Sequence, residues 1–149
     1  MNFSECTPGR SFILKLFPGE ILHEQIEKFA LSNNIRSARV HALGGADEGS
    51  VVVCGPKILI SGRVDPMTVT LDAPMEFVGT GTILSTEDGV PMLHMHGSCG
   101  REGRSITGCM RSGIIVWLVM EVIIEELLTD DVVRSMDDNG FFLIDILKD

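Results

Sequence analysis

The chain has 149 residues, 44% of them hydrophobic, and sets twelve Lys and Arg against twenty-one Asp and Glu for a formal net charge of -9. That length suits one domain whose core needs no disulfide or metal staple, and the acidic balance has the wrong sign for autonomous binding to nucleic-acid phosphates. A mean hydropathy of +0.25 is high for so charged a chain and points to apolar surface covered by further copies of itself.

Residues 1–10 lack the charged start and apolar stretch of a secretory signal and carry Glu5 and Pro8 instead. Residues 12–17 form a short apolar strand that stops at Pro18-Gly19, and Pro18 suits a helix start. From Glu20 the apolar positions Ile21, Leu22, Ile26, Phe29 and Ala30 recur at helical spacing, with Glu24, Glu27 and Lys28 opposite, until Ser32-Asn33-Asn34 ends the pattern. The period then changes. Residues 38–43 run to Gly44-Gly45 and residues 49–54 run to Gly55-Pro56, which predicts two strands around a tight turn. Further strands are expected at 57–61, 67–71, 76–84, 92–98, 105–110, 113–126 and 141–147, separated by Gly, Pro or Asp-Gly signals, so antiparallel hairpins dominate the expected α+β fold.

The most apolar run, residues 114–124, contains Glu121 and falls short of the roughly 20 residues of a membrane helix, so it reads as a buried or interface strand. Trp117 within it is a natural interface anchor in a chain poor in aromatics. The four cysteines, Cys6, Cys54, Cys99 and Cys109, show neither CxxC spacing nor a disulfide framework and read as reduced thiols of a cytoplasmic protein. No repeat, linker or composition shift divides the chain, so one domain is expected over residues 1–149, with its core at about 9–147.

The chemistry concentrates at Leu93-His94-Met95-His96. On a strand, residues i and i+2 share a face, which sets the two imidazoles about 6.5 Å apart along the chain. A hairpin centred near Arg101-Glu102 would bring Cys109 across from His94 on that face, and a one-residue slip would turn it away. Two imidazoles and a thiolate suit zinc or another late transition metal, with a fourth position left for water or a partner's side chain. The alternative is that both histidines merely hydrogen-bond on a partly wet face while Cys109 packs as a small hydrophobe.

Glu121, Glu76 and His41 are the candidates for proton transfer should a metal-bound water be used. Glu121, among apolar neighbours, reads more readily as a structural ion-pair partner whose burial needs compensation. His41 and His23 read as solitary, satisfied histidines. Cys99 falls in the expected hairpin loop, where an exposed thiol could react but nothing lowers its pKa. Arg101, Arg104 and Arg111 form a weak basic cluster interrupted by Glu102. Gly79-Thr80-Gly81-Thr82 lies in a strand pattern with no helix after it, so its glycines serve close packing rather than phosphate binding. No GxSxG elbow occurs.

The order of these features resembles the PPC domain, the plant and prokaryote conserved domain also found beside AT-hooks. The residues that carry the resemblance are Gly9-Arg10-Ser11-Phe12, Pro18-Gly19-Glu20, Phe29-Ala30, Val40-His41-Ala42-Leu43-Gly44, Gly79-Thr80-Gly81-Thr82, Asp88-Gly89-Val90-Pro91 and His94-Met95-His96. Where the family usually shows Gly-Gly-His-Leu, this chain reads Thr107-Gly108-Cys109-Met110, so Cys109 stands in the place of a third histidine. The resemblance implies a mostly antiparallel sheet of about seven strands around one main helix, assembly as a homotrimer, and metal binding at the hairpin in some stand-alone prokaryotic members. It implies no reaction. No Arg-Gly-Arg-Pro AT-hook is present, so DNA association would rest on fold analogy alone. Three functions therefore compete: a metal-binding module for a small ligand or protein partner, a zinc-dependent enzyme of unassigned reaction with hydrolysis the first to test, and a DNA-associated regulator.

Overall fold

A computed structural model describes the backbone of residues 1–60, 63–111, 113–138 and 140–147, and the side chains of the same residues except 58–60, 63 and 64. Its elements are β1 (Thr7–Leu16), α1 (Leu22–Ser32), β2 (Ser37–Ala46), β3 (Val51–Ile60), β4 (Arg63–Thr70), β5 (Met75–Ser85), β6 (Pro91–Arg101), β7 (Arg104–Cys109), β8 (Val116–Leu128), β9 (Val132–Met136) and β10 (Phe142–Ile146). Eight strands form one antiparallel sheet in the order β1-β8-β2-β5-β6-β7-β3-β4, and β9 pairs with β10 in a separate two-stranded sheet. The α+β class, the single long helix and a mostly antiparallel main sheet of about the expected size all hold.

The helix begins later than Pro18 suggests. Pro18-Gly19 forms a turn, with Gly19 at φ 83° and the Glu20 N–H donating to the Phe17 carbonyl. The Glu20 carboxylate in turn accepts the Phe17 N–H at 2.8 Å. Helix α1 ends in a Schellman motif: Asn34 takes the left-handed position, the Ile35 N–H donates to Ala30 and the Asn34 N–H to Leu31. Its apolar face, Leu22, Ile26 and Ala30, is fully buried against the inner face of the sheet. A polar tie adds to this packing, because the Glu27 carboxylate accepts the Leu93 N–H of β6 at 2.8 Å.

Period-two alternation divides the sheet into two faces. Val40, Ala42, Leu93, Met95, Cys99, Val122 and Ile124 point inward and are buried, each large side chain contributing about 1.5–3 kcal/mol. Small residues cross the inner face where large ones need room. Paired Gly79 and Gly97 leave the space taken by Phe77, Met95 and Met110, as the close-packing reading of the 79–82 segment anticipates.

Three expectations fail in the topology. Residues 38–43 and 49–54 do not form a hairpin: β2 lies between β5 and β8, and β3 pairs with β4 and β7. Gly44-Gly45 is not a turn either. It lies within β2 beside a bulge in β8, where Leu118 has φ 62° and a Cβ on Gly44 would stand 2.2 Å from the Val119 carbonyl oxygen. Gly55-Pro56 likewise does not end a strand, since β3 continues through it with shifts in register, absorbing most of the strand expected at 57–61. Residue 61 of that expectation lies outside the described residues.

Candidate metal centre

The alternation that buries Leu93 and Met95 turns His94 and His96 to the outer face of β6. The next strand returns through a turn whose central residues, Glu102 and Gly103, have φ 53° and 75°, the two positive values of a type I′ turn. Arg101 therefore pairs with Arg104, and Cys109 comes opposite His96 rather than His94. The turn is centred one residue later than expected, which moves the pairing by two positions and leaves Cys109 on the face of the histidines. The backbone continues this alignment past β7, with the Met110 N–H donating to the Met95 carbonyl at 2.9 Å.

One ligand atom from each of His94, His96 and Cys109 lies within 4.8 Å of the others. The imidazole rings meet edge to face, centroids 5.0 Å apart. Zinc bonds of about 2.0–2.3 Å set tetrahedral donors about 3.3–3.8 Å apart, so small rotations of these side chains bring them to a shared ion. Neither ring, nor the Cys109 thiol, hydrogen-bonds another side chain or backbone group among the described residues. The His94 imidazole is held below its ordinary pKa, first by burial and then by Arg134, His96 and Arg111. That favours the neutral ring a metal requires.

The three donors line a cavity of ≈ 670 Å³ between the outer sheet face and the β9–β10 hairpin. Its walls are largely apolar, with Val53 and Pro56 on one side and Phe141, Phe142, Leu143 and Ile144 on the other. Two arginines also line it. Arg111 is exposed, whereas Arg134 is only 4% exposed and donates from Nη2 to the Thr82 hydroxyl at 3.1 Å. Among the described residues the Arg134 Nε is buried without a partner, and no Asp or Glu lines the cavity.

The other candidates lie elsewhere. His41 shares a cross-strand row with His96, but Thr80 of β5 separates them, about 10 Å across two strand spacings. Glu121 is exposed rather than buried, opposite Lys15 and Leu43 at the β1 side of the sheet. Its neighbours Met120 and Val122 point inward, and alternation sends Glu121 out. Glu76 is exposed opposite Gly45 and Gly100. Cys99 is not in a loop. It lies on β6 opposite Phe77 and Ile106, fully buried, its thiol pushed up to about 11 by burial and by nearby Cys54. His23 stays on α1, its Nδ1 buried without a hydrogen bond to the described residues. Of the three clustered arginines only Arg111 reaches the cavity; Arg101 donates to the Pro74 carbonyl.

Sequence reasoning missed strand β9 and with it Arg134. The available signal was an arginine inside Val132-Val133-Arg134-Ser135-Met136, followed by Asn139-Gly140 and a second apolar run, the pattern of a hairpin. All four cysteines are free thiols, and no described helix is long and apolar enough to cross a membrane.

The chain belongs to the Plants and Prokaryotes Conserved (PCC) domain family, whose family model matches residues 3–128. Among solved structures it is similar to a plant- and prokaryote-conserved (PPC) protein of Pyrococcus horikoshii, 23% identical with 99% of each chain covered and a TM-score of 0.82. It is also similar to a metal-containing protein of Archaeoglobus fulgidus, 27% identical over 96% of this chain and 98% of that one, TM-score 0.78. A candidate DNA-binding protein of Bacteroides thetaiotaomicron shares the fold at 16% identity, covering 97% of this chain and 100% of its own, TM-score 0.75. No curated protein matches the sequence.

Proposed function

We propose that this protein binds a late transition metal, zinc foremost, through His94, His96 and Cys109, and that it works as a ligand- or partner-binding module assembled from three copies. The observation that carries the reading is the convergence of two imidazoles and a thiol within 4.8 Å at the floor of a cavity. A His₂Cys set suits zinc and leaves a fourth coordination position, which here would face the cavity. The similarity to a metal-containing archaeal protein supports the reading. A bound ion would supply Lewis acidity at that open position, while the chain's own residues orient the donors and hold His94 neutral.

An enzymatic reading lacks its proton-transfer group, because Glu121, Glu76 and His41 all stand away from the donors and the described cavity lining holds no carboxylate. The assembly reading draws on the outer face, where Ile13, Val78 and Trp117 are 84%, 60% and 41% exposed, and on the trimers that the family resemblance implies.

Elemental analysis of the purified, untagged protein beside Cys109→Ala and His94→Ala, with molar mass read on the same column, tests both parts. We expect close to one metal per chain in the wild type and its loss in both variants. A metal-free wild type overturns the metal reading. Trp117→Asp is expected to lower the mass, and an unchanged trimer would remove Trp117 from the interface.

A further inference from the structure

Arg134 is a buried cation with no carboxylate partner among the described residues. A guanidinium does not deprotonate in a protein, so the charge stays. Removing it from water costs several kcal/mol unless an anion or a full set of hydrogen bonds offsets the loss. Among the described residues a single neutral hydroxyl, that of Thr82, accepts from Nη2, Nε has no partner, and the charge that acts on the guanidinium, Arg111, has the same sign. On a chain with a net charge of -9, a cavity with two arginines and no lining carboxylate among its described residues is a local inversion of the surface field.

We propose that the cavity binds a small organic carboxylate with an apolar body. Its headgroup is held between Arg134 and the His94–His96–Cys109 floor, and its body lies against Phe141, Phe142, Leu143 and Ile144. The guanidinium fork matches a carboxylate through paired N–H donors, and the free Nε supplies one of them. The apolar walls define the rest of the molecule. A bare inorganic anion would leave them unfilled, and a neutral molecule would leave Arg134 uncompensated. The volume, ≈ 670 Å³, falls within the range of small-molecule sites. This inference rests on the metal-centre reading only for the placement of the headgroup beside the donors; its anchor is Arg134.

Calorimetric titration of the protein as purified, with hexanoate, hexan-1-ol and inorganic phosphate as probes, tests it, the metal content of each sample being measured in parallel. Hexanoate is expected to bind about tenfold or more tightly than either other probe, in keeping with a charge-assisted hydrogen bond. Arg134→Gln is expected to weaken hexanoate by a similar factor without changing metal content. Because Arg134 is buried and its replacement could disturb folding, Arg111→Gln at an exposed position is the companion, expected to weaken hexanoate a few-fold. Equal binding of hexanoate and hexan-1-ol, equal binding of phosphate, or no binding of hexanoate overturns the proposal, and protein that carries metal but takes no hexanoate does so while leaving the metal reading intact. Metal-free protein that binds hexanoate through Arg134 supports the carboxylate site and overturns the metal reading instead.

Discussion

The two faces of the main sheet are built from the same strands and behave oppositely. Inward, Val40, Val122 and Ile124 are fully buried and close on helix α1. Outward, one residue along each strand, a row of paired residues runs Ile13, Ile123, His41, Thr80, His96, Cys109 and Val53 across seven strands. The inner face is spent on stability. The outer face, with partial exposure, unbonded imidazoles and a half-buried thiol, keeps chemical groups available. The lesson is that parity along a strand decides whether a residue is structural or available, and that its neighbours in sequence have little say.

The largest expected effect lies inward. Ile26→Ala, which opens a cavity between α1 and the sheet, should cost about 2–5 kcal/mol in urea unfolding, whereas His96→Ala in metal-free protein should cost less than about 1 kcal/mol. Comparable losses would break the division between the faces. A chemical contrast comes next. At pH 8 a thiol with a pKa of about 11 is ionised in roughly one molecule per thousand, so Cys99 should resist alkylation in the native, metal-free protein while Cys109 is modified. Peptide mass mapping reads the difference, and early labelling of Cys99 would show that the inner face opens readily.

The smallest effect concerns a carboxylate on the inward parity of β8. Glu126 is buried and accepts three hydrogen bonds from Arg10, which hold its carboxyl below the usual range against the opposing pull of burial. A depressed carboxyl contributes stability above the unfolded value of about 4.3, and that contribution disappears as pH falls through the lower folded value. Glu126→Gln should therefore melt lower at pH 7, and the gap to wild type should narrow on acidification toward pH 3. A constant gap would assign the loss to packing rather than to charge.

Much of this was legible because it is local. The helix was read from apolar spacing and the shared face of His94 and His96 from period two. The pairing partner of Cys109 was misplaced by two positions because it hangs on the turn, and only the left-handed conformations of Glu102 and Gly103 fix that. The surroundings of β2 were out of reach for a different reason. Its partners β5 and β8 are distant in sequence, while the adjacent β3, which looks like its hairpin mate, joins the far side of the sheet. Glu121 was misjudged because the apolar run around it hides an alternation, with Ile123 37% exposed and Val122 and Ile124 fully buried. Arg134 depends on a hairpin folding back over the sheet, which no local pattern encodes.

That hairpin has its own ladder, separate from the eight-stranded sheet, and its links to the body include the Thr86–Arg134 bridge, the Arg134–Thr82 hydrogen bond and the Ser135 hydroxyl donating to the Glu87 carboxylate. The family match ends at residue 128, so the three candidate donors fall within it and the wall facing them falls outside. If the cavity binds as proposed, its selectivity is portable. Replacing Phe141, Phe142, Leu143 or Ile144 would then reshape what the cavity admits without disturbing a hydrogen bond of the main sheet, and the same candidate donors would be re-targeted by remodelling the β9–β10 hairpin alone.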